Sequence, residues 1–374
     1  MSKLFEYSKP VEGQLFIGRK EEVRHLSDHF LLQTNAAIVA PQGWGKSSLV
    51  RQAYKDAVRK ERNLKLVYLS LSTVRNEERF YELLVQSVLR AVSSSQSEVS
   101  ENVRRYFPDI HPKVGFKSDS TDDLAIEFDW EEIRKNQDFL LKLPSVVAAD
   151  KDYRFVVCVD DFHSVSLFND PDTFASRIND IWGTDSKVTY CICGAPNAFF
   201  EKFISKTPVL KYGKLIRLSM IGRKDTVTSL RDRFADSGKY LDDEMAELII
   251  DLADNHPFYI QQIAHLSWMG TSVVCSRDVV TASHSSIVDQ MGLVFENLTE
   301  SLTSQQLCYL HAVLAGESII STSEVLHRHH ITSATSASRS KAALLERGMV
   351  CIRDGKVSFT DPLYAYWLNN RYFK

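Results

Sequence analysis

The 374-residue chain predicts an α/β fold. A parallel sheet with helices on both faces is followed by an all-helical segment and a small tail of helices and a hairpin. Three observations carry this. Continuous apolar, β-branched runs alternate with helical periodicity through the first half, the pattern of strands buried on both sides. From about Arg223 the pattern becomes purely helical. From about Thr303, two or three short helices precede two strand-like pieces, the element order of a winged helix-turn-helix module.

Taken in order, 36–40 (AAIVA) reads as a buried strand, followed by a glycine-rich turn and a helix over 47–59. Residues 64–71 (LKLVYLSL) form a second strand. Over 77–92, Phe80, Leu83, Leu84, Val88 and Ala91 fall on one helical face. Three further strands follow at 155–159 (FVVCV), 188–193 (VTYCIC) and 215–218 (LIRL). Residues 93–150 are longer than a simple crossover. Their serine run at 93–97 reads as a loop or frayed helix end, and 114–117 with 124–128 as a hairpin insertion near 112–130. The five acidic residues of that hairpin suit a solvated turn better than an acidic docking surface. Residues 242–253 and 257–269 are amphipathic helices. In the tail, helices over 304–315, 323–329 and 338–347 precede strands at 349–353 and 356–360, joined by Asp354 and Gly355.

The strongest chemical signal is Ala40-Pro41-Gln42-Gly43-Trp44-Gly45-Lys46-Ser47. It matches G-x-x-x-x-G-K-[ST] with alanine first, directly after a strand and before a helix. Gly43 and Gly45 permit the tight fold that points successive N–H groups at phosphate oxygens. The helix N-terminus adds positive potential. Lys46 reaches the β- and γ-phosphates, and the Ser47 hydroxyl ligates Mg²⁺. The companion is an acidic residue ending an apolar strand. In 155–161 (FVVCVDD), Asp160 is placed to hold Mg²⁺, and Asp161 to orient or deprotonate the attacking water. After the following strand, Cys193 and Asn197 stand where a side chain senses the γ-phosphate, although a plain strand-to-loop transition is the better reading.

Composition sets the boundaries. At 44% hydrophobic and 25% charged, with net charge -3, the chain is ordinarily globular and carries no uniformly basic coat. No apolar run approaches the ~18 residues of a membrane span, and the first residues lack a signal-peptide core. The six cysteines form neither a disulfide framework nor a zinc spacing, and buried free thiols are expected. These features predict a cytoplasmic protein with no membrane association.

The ordered set of motifs resembles the archaeal-type, STAND-like AAA+ ATPases of the MNS-like clade. Phe16-Ile17-Gly18-Arg19-x-x-Glu22 is similar to their F-x-G-R-x-x-E entry motif, and Asp160-Asp161-Phe162-His163 to D-E-F-Q. Thr207 to Gly213 resembles P-F-Y-R-[FY]-G, with Lys211 in the arginine position. Asn255-His256-Pro257-Phe258-Tyr259-Ile260-Gln261 resembles G-x-P-Y-Y-[IL]-Q, with asparagine, the next-best left-handed helix terminus, replacing glycine. Asp361-Pro362-Leu363-x-x-x-Trp367 resembles the D-P-[LF]-x-x-x-W closure of a winged-helix tail. The resemblance implies a P-loop NTPase sheet of AAA+/ASCE type over 14–222, a helical lid over 223–300 and a winged-helix domain over 301–374.

It further implies ATP and Mg²⁺ as cofactors. Nucleotide contacts fall to Phe16, Gly18, Arg19, Pro41, Gln42, Gly43, Trp44, Gly45, Lys46, Ser47, Ser48 and Pro257, metal contacts to Ser47 and Asp160, and catalysis to Lys46 and Asp161. The expected function is a nucleotide-dependent conformational switch with slow hydrolysis, since Asp161 is one methylene shorter than the usual glutamate. The alternatives are an ATP-dependent DNA-binding protein resembling origin-recognition or transposition-helper ATPases, and a non-hydrolysing scaffold. The tail holds eight basic against five acidic residues, and 333–341 (SATSASRSK) opens its recognition helix. That suits DNA or a protein partner equally. Arg231 and Arg233 fit either the trans-acting fingers of an ATP-dependent homo-oligomer or exposed surface charges, the latter by default. Trp44 either covers the nucleotide or packs outward. His327, His329 and His330 read as a solvated helix end rather than a metal site.

Overall fold

The computed structural model describes residues 4–110, 112–116, 124–185, 187–206, 213–353 and 355–374. These divide into two compact units. One comprises 19–40 and 46–218; the other comprises 4–18, 41–45 and 219–374.

The first unit is built on a five-stranded parallel sheet of β1 (Ala36–Val39), β2 (Leu64–Ser70), β5 (Arg154–Asp160), β6 (Val188–Gly194) and β7 (Lys214–Arg217), in the order β2-β5-β6-β1-β7. β6 therefore lies between β1, which leads into the phosphate loop, and β5, which ends in Asp160. Strands β1, β5 and β6 are buried along almost their whole length, as the apolar runs require. A hairpin of β3 (Lys113–Phe116) and β4 (Leu124–Glu127) is antiparallel, and the turn expected between them lies outside the described residues.

The helix Glu77–Val92 has the predicted bounds and is capped by Asn76, whose side chain accepts from the Arg79 N–H at 3.0 Å. One face of the sheet packs Val67, Val157, Val159, Tyr190 and Ile192 against Phe80, Leu84, Phe174 and Trp182. The Trp182 and Tyr190 rings stack at 4.4 Å. The stretch 93–150 is more ordered than expected. Ser95 caps a helix Gln96–Tyr106, and a helical stretch, Trp130–Lys151, kinked at the non-helical Asn136, follows the hairpin. The serine run is thus a helix start rather than a frayed end, because the Ser95 hydroxyl satisfies the Glu98 N–H.

In the second unit, helices Arg223–Asp236, Asp243–Leu252, Pro257–Gly270 and Arg277–Gln290 share a core around Leu230, Ile249, Ile260 and Ile263. The tail follows the predicted grammar with helices Ser304–Leu314, Ser323–Arg328 and Ala334–Glu346, then β8 (Val350–Arg353) paired with β9 (Lys356–Phe359). The third helix starts four residues earlier than expected, since Ser333 caps it through the Ser336 N–H. The histidine cluster is not a solvated helix end throughout. His329 is buried, with Nδ1 3.3 Å from His311 Nδ1 and Nε2 3.3 Å from Glu317 Oε1. Among the described residues, no helix is long and apolar enough to cross a membrane.

Candidate nucleotide site

In the sheet unit, the polar groups converge on Asp160. Its Oδ2 accepts hydrogen bonds from the Ser47 hydroxyl, at the start of the helix Lys46–Val58, and from the Tyr68 hydroxyl at 2.5 Å. Its Oδ1 accepts the Asp161 N–H at 2.9 Å. A buried carboxylate is retained only when its lone pairs are satisfied, and here a strand neighbour, a helix hydroxyl and the backbone N–H of the following residue do so. Lys46 is buried and donates from Nζ to the Ala40 carbonyl at 2.9 Å. Ser48 is half-buried on the next helical position.

Asp161 takes a left-handed backbone conformation, φ 57°, immediately past β5. Aspartate tolerates that region better than most residues. Burial, followed by the neighbouring charge of Asp160, pushes its carboxyl above the usual range, against the pull of Lys46. His163 is pushed down to about 4 by burial, with Lys46 adding to the shift. Its Nδ1 accepts the Ala195 N–H at 3.2 Å, so the ring is a neutral acceptor there. Asn197 is occupied locally, accepting the Phe200 N–H at 2.8 Å, and Cys193 is buried in the sheet. Arg19 is buried, also with a left-handed φ of 56°, and burial lowers its guanidinium to about 10.

The loop residues Pro41–Gly45 group with the helical unit. Gly43 and Gly45 have φ of 77° and 84°. A Cβ at Gly43 would stand 2.5 Å from His256 Cε1, so close approach as well as conformation requires glycine here. His256 is buried and donates from Nε2 to the Gln42 carbonyl at 3.2 Å. Burial depresses its imidazole to about 4. Trp44 is buried rather than pointing outward into solvent, and the Arg353 guanidinium lies over its ring at 5.8 Å. Arg353 is held in turn by Asp254 at 2.6 Å.

Pro257 opens the helix Pro257–Gly270 behind an extended N-cap residue, His256, which itself follows two left-handed residues, Asp254 and Asn255. Asn255, with φ 55°, fills the glycine position of the motif, and its side chain donates to the Ile221 carbonyl at 3.1 Å. Phe16 is half-buried. Gly18 has φ 62° and sits against Ile221 and Asp225. Arg231 is exposed and paired with Asp243. Arg233 is not the exposed charge expected of it: it is buried, donating to Gln261 Oε1 at 2.7 Å and to the Leu15 carbonyl at 2.8 Å. The motif position at Lys211 lies outside the described residues.

The model of the family described as novel STAND NTPase 1 matches residues 4–266, and that of a probable winged helix domain matches residues 293–370. The chain belongs to the novel STAND NTPase 1 family. No curated protein matches it. Among solved structures, it is similar to a Walker-type ATPase of Pyrococcus abyssi, with 14% identity and a TM-score of 0.65 over 98% of this chain and 100% of the other. It is also similar to the Orc1 protein of Aeropyrum pernix, solved in complex with DNA, with 13% identity and a TM-score of 0.52 over 98% and 94%. At these identities the likeness concerns fold, which is that of a P-loop NTPase of AAA+ type ending in a winged helix.

Sequence reasoning about this STAND NTPase did not single out Tyr68, His256, Tyr259 or Arg353. His256 and Tyr259 stood inside a quoted motif and were the most accessible of the four. Tyr68 gives no local signal, since its role depends on β2 lying next to β5. Arg353 was counted only among the tail's charges.

Proposed function

We propose that this STAND NTPase binds Mg-ATP and hydrolyses it slowly, using the nucleotide state to set the positions of a lid, 223–300, and a winged-helix tail, 301–374, around a core of 14–222. The observation that carries this reading is the hydrogen bond from Ser47 to Asp160. It brings a hydroxyl and a carboxylate, both hard oxygen donors suited to Mg²⁺, to the ends of the phosphate-loop helix and β5. When bound, Mg²⁺ neutralises charge on the β- and γ-phosphates. Lys46, already buried, offers those oxygens a point charge once it leaves the Ala40 carbonyl. Gly43 and Gly45 free backbone N–H groups for the same anion. Asp161, whose raised carboxyl pKa suits a proton acceptor nearer neutrality, orients and deprotonates the attacking water. Phe16, Gly18, Arg19 and Pro257 complete the nucleotide contacts, with Pro41, Gln42, Trp44 and Ser48 flanking the phosphates.

The switch reading is supported by contacts inside the helical unit. The loop is touched by His256 at Gln42 and by Arg353 of the tail hairpin at Trp44. A phosphate-dependent shift of the loop is therefore felt at both places, and differential contacts of this kind bias a two-state equilibrium. The test is nucleotide occupancy and phosphate release by purified protein. Wild type retains ATP with Mg²⁺ and releases phosphate slowly; Lys46→Ala loses retention; Asp161→Asn keeps it and stops release. Absence of nucleotide binding in wild type overturns the reading.

A second reading, ATP-dependent DNA binding, is favoured by one feature of the tail. Thr335, Ser338 and Arg339 are exposed on one stretch of the helix Ala334–Glu346, with Lys341 half-buried beside them. Duplex affinity falling steeply with salt, and further weakened by Arg339→Ala with Lys341→Ala, supports it; a flat salt response removes it in favour of a protein partner.

A further inference from the structure

Three of the six cysteines converge in the sheet. Cys158 on β5 and Cys191 on β6 are register partners, and Cys193 is two residues further along β6, so all three side chains share one face. Their sulfur atoms lie within 4.8 Å of one another, all with zero exposure. Neighbouring Val157, Val159 and Ile192 point to the opposite face, where the aromatic core lies. The thiols thus occupy the side packed by the helix Lys46–Val58, which contacts β2 and β5. The other cysteines, Cys275, Cys308 and Cys351, are isolated free thiols elsewhere.

The spacing admits a trigonal thiolate site, with Cys158 Sγ within 4.8 Å of both other sulfurs. An ion about 2.3 Å from each of three sulfurs sets them ~4.0 Å apart, and Cys191 Sγ and Cys193 Sγ are 4.0 Å apart. We propose that Cys158, Cys191 and Cys193 form a binding site for a soft, thiophilic, three-coordinate metal ion, of the chemical class of monovalent copper. Thiolates select soft ions over Mg²⁺, Ca²⁺ and Mn²⁺. Structural zinc needs a fourth protein ligand, and among the described residues no histidine or carboxylate joins the group. Each metal–sulfur bond that forms releases one thiol proton to solvent, and no electron changes hands. The three sulfurs are different atoms from the Ser47 and Asp160 oxygens. Although Asp160 stands two residues beyond Cys158 on the same face of β5, the sulfur shell of a bound ion is read directly whether or not ATP is hydrolysed.

The test uses full-length, fully reduced protein and copper(I) supplied anaerobically from a chelator of known affinity, both to native protein and during refolding. One equivalent is retained through gel filtration, and X-ray absorption shows a shell of three sulfurs and no nitrogen or oxygen. Cys193→Ser and Cys193→Ala lower retention at least tenfold, whereas a Cys275→Ser, Cys308→Ser, Cys351→Ser chain keeps both the equivalent and the three-sulfur shell. The last chain leaves the sheet intact, so the result does not depend on the strand variants folding. No retained ion by either route, a shell containing nitrogen or oxygen, or a shell lost with the three isolated cysteines overturns the proposal.

Discussion

The Arg353 guanidinium of the tail hairpin lies 5.8 Å from the centre of the Trp44 ring in the phosphate loop, 309 positions earlier in the chain. Arg353 is only 20% exposed and is oriented by Asp254 and by the Phe359 carbonyl. A partly desolvated cation–π pair of this kind contributes about 0.5–2 kcal/mol. Trp44→Ala and Arg353→Ala therefore each destabilise the helical unit, and the double variant costs less than the sum of the two. A double-mutant cycle by urea unfolding reads the coupling directly, and strict additivity removes the contact as an energetic link.

Tyr259 and Asp361 make a second long-range link, between the two C-terminal motifs. The Tyr259 hydroxyl donates to Asp361 Oδ2 at 2.7 Å, while Asp361 Oδ1 caps the helix Pro362–Trp367 through the Leu363 and Tyr364 N–H groups. Tyr259→Phe removes one charge-assisted bond and costs about 1.5–3 kcal/mol. Asp361→Ala removes the cap as well and costs about 1 kcal/mol more. Equal losses in the two variants, measured by denaturant midpoints, contradict this division of roles.

These links mark the limit of what sequence patterns reveal. The strands were legible because β1, β5 and β6 are buried on both faces and so are continuously apolar. Glu77–Val92 was legible because one face is apolar and Asn76 caps it. The phosphate loop announced itself because Gly43 and Gly45 must take positive φ. Pairings between distant polar groups leave no such trace. Arg233 is buried beneath Leu15 and beside Gln261 although it lies in an outwardly charged run, and Tyr68 meets Asp160 only through strand order. Likewise, each cysteine of the sheet trio reads alone as a small apolar residue, and only the pairing of β5 with β6 collects them.

Asp161 carries the hydrolysis prediction. Asparagine also tolerates its left-handed φ of 57°, so Asp161→Asn keeps the fold and nucleotide retention while phosphate release drops by about 100-fold or more, the scale of losing a general base. Asp161→Glu extends the carboxylate by one methylene at a backbone cost of about 1 kcal/mol, and release rises several-fold. Single-turnover phosphate release, with bound nucleotide counted in parallel, separates the two effects. Unchanged release in Asp161→Asn assigns the proton acceptor elsewhere.

His256 gives the pH prediction its sign. Its folded pKa, about 4, lies below the ordinary 6.5 because the ring is buried, and Arg353 adds to the shift against Asp254 and the Gln42 carbonyl. Below pH 6.5 the unfolded chain binds a proton that the folded ring refuses. The stabilisation is complete above pH 6.5 and drains away as pH falls toward 4, by on the order of 1–2 kcal/mol at pH 5. His163 acts in the same direction, whereas the raised pKa of Asp161 acts in the opposite one. The diagnostic comparison is therefore within one position. His256→Gln, whose side-chain amide nitrogen stands in for the ring Nε2 that donates to the Gln42 carbonyl, does not titrate, so its urea midpoint falls less than that of wild type between pH 7.5 and pH 5. Parallel acid losses in the two proteins show that His256 is not the group taking up the proton.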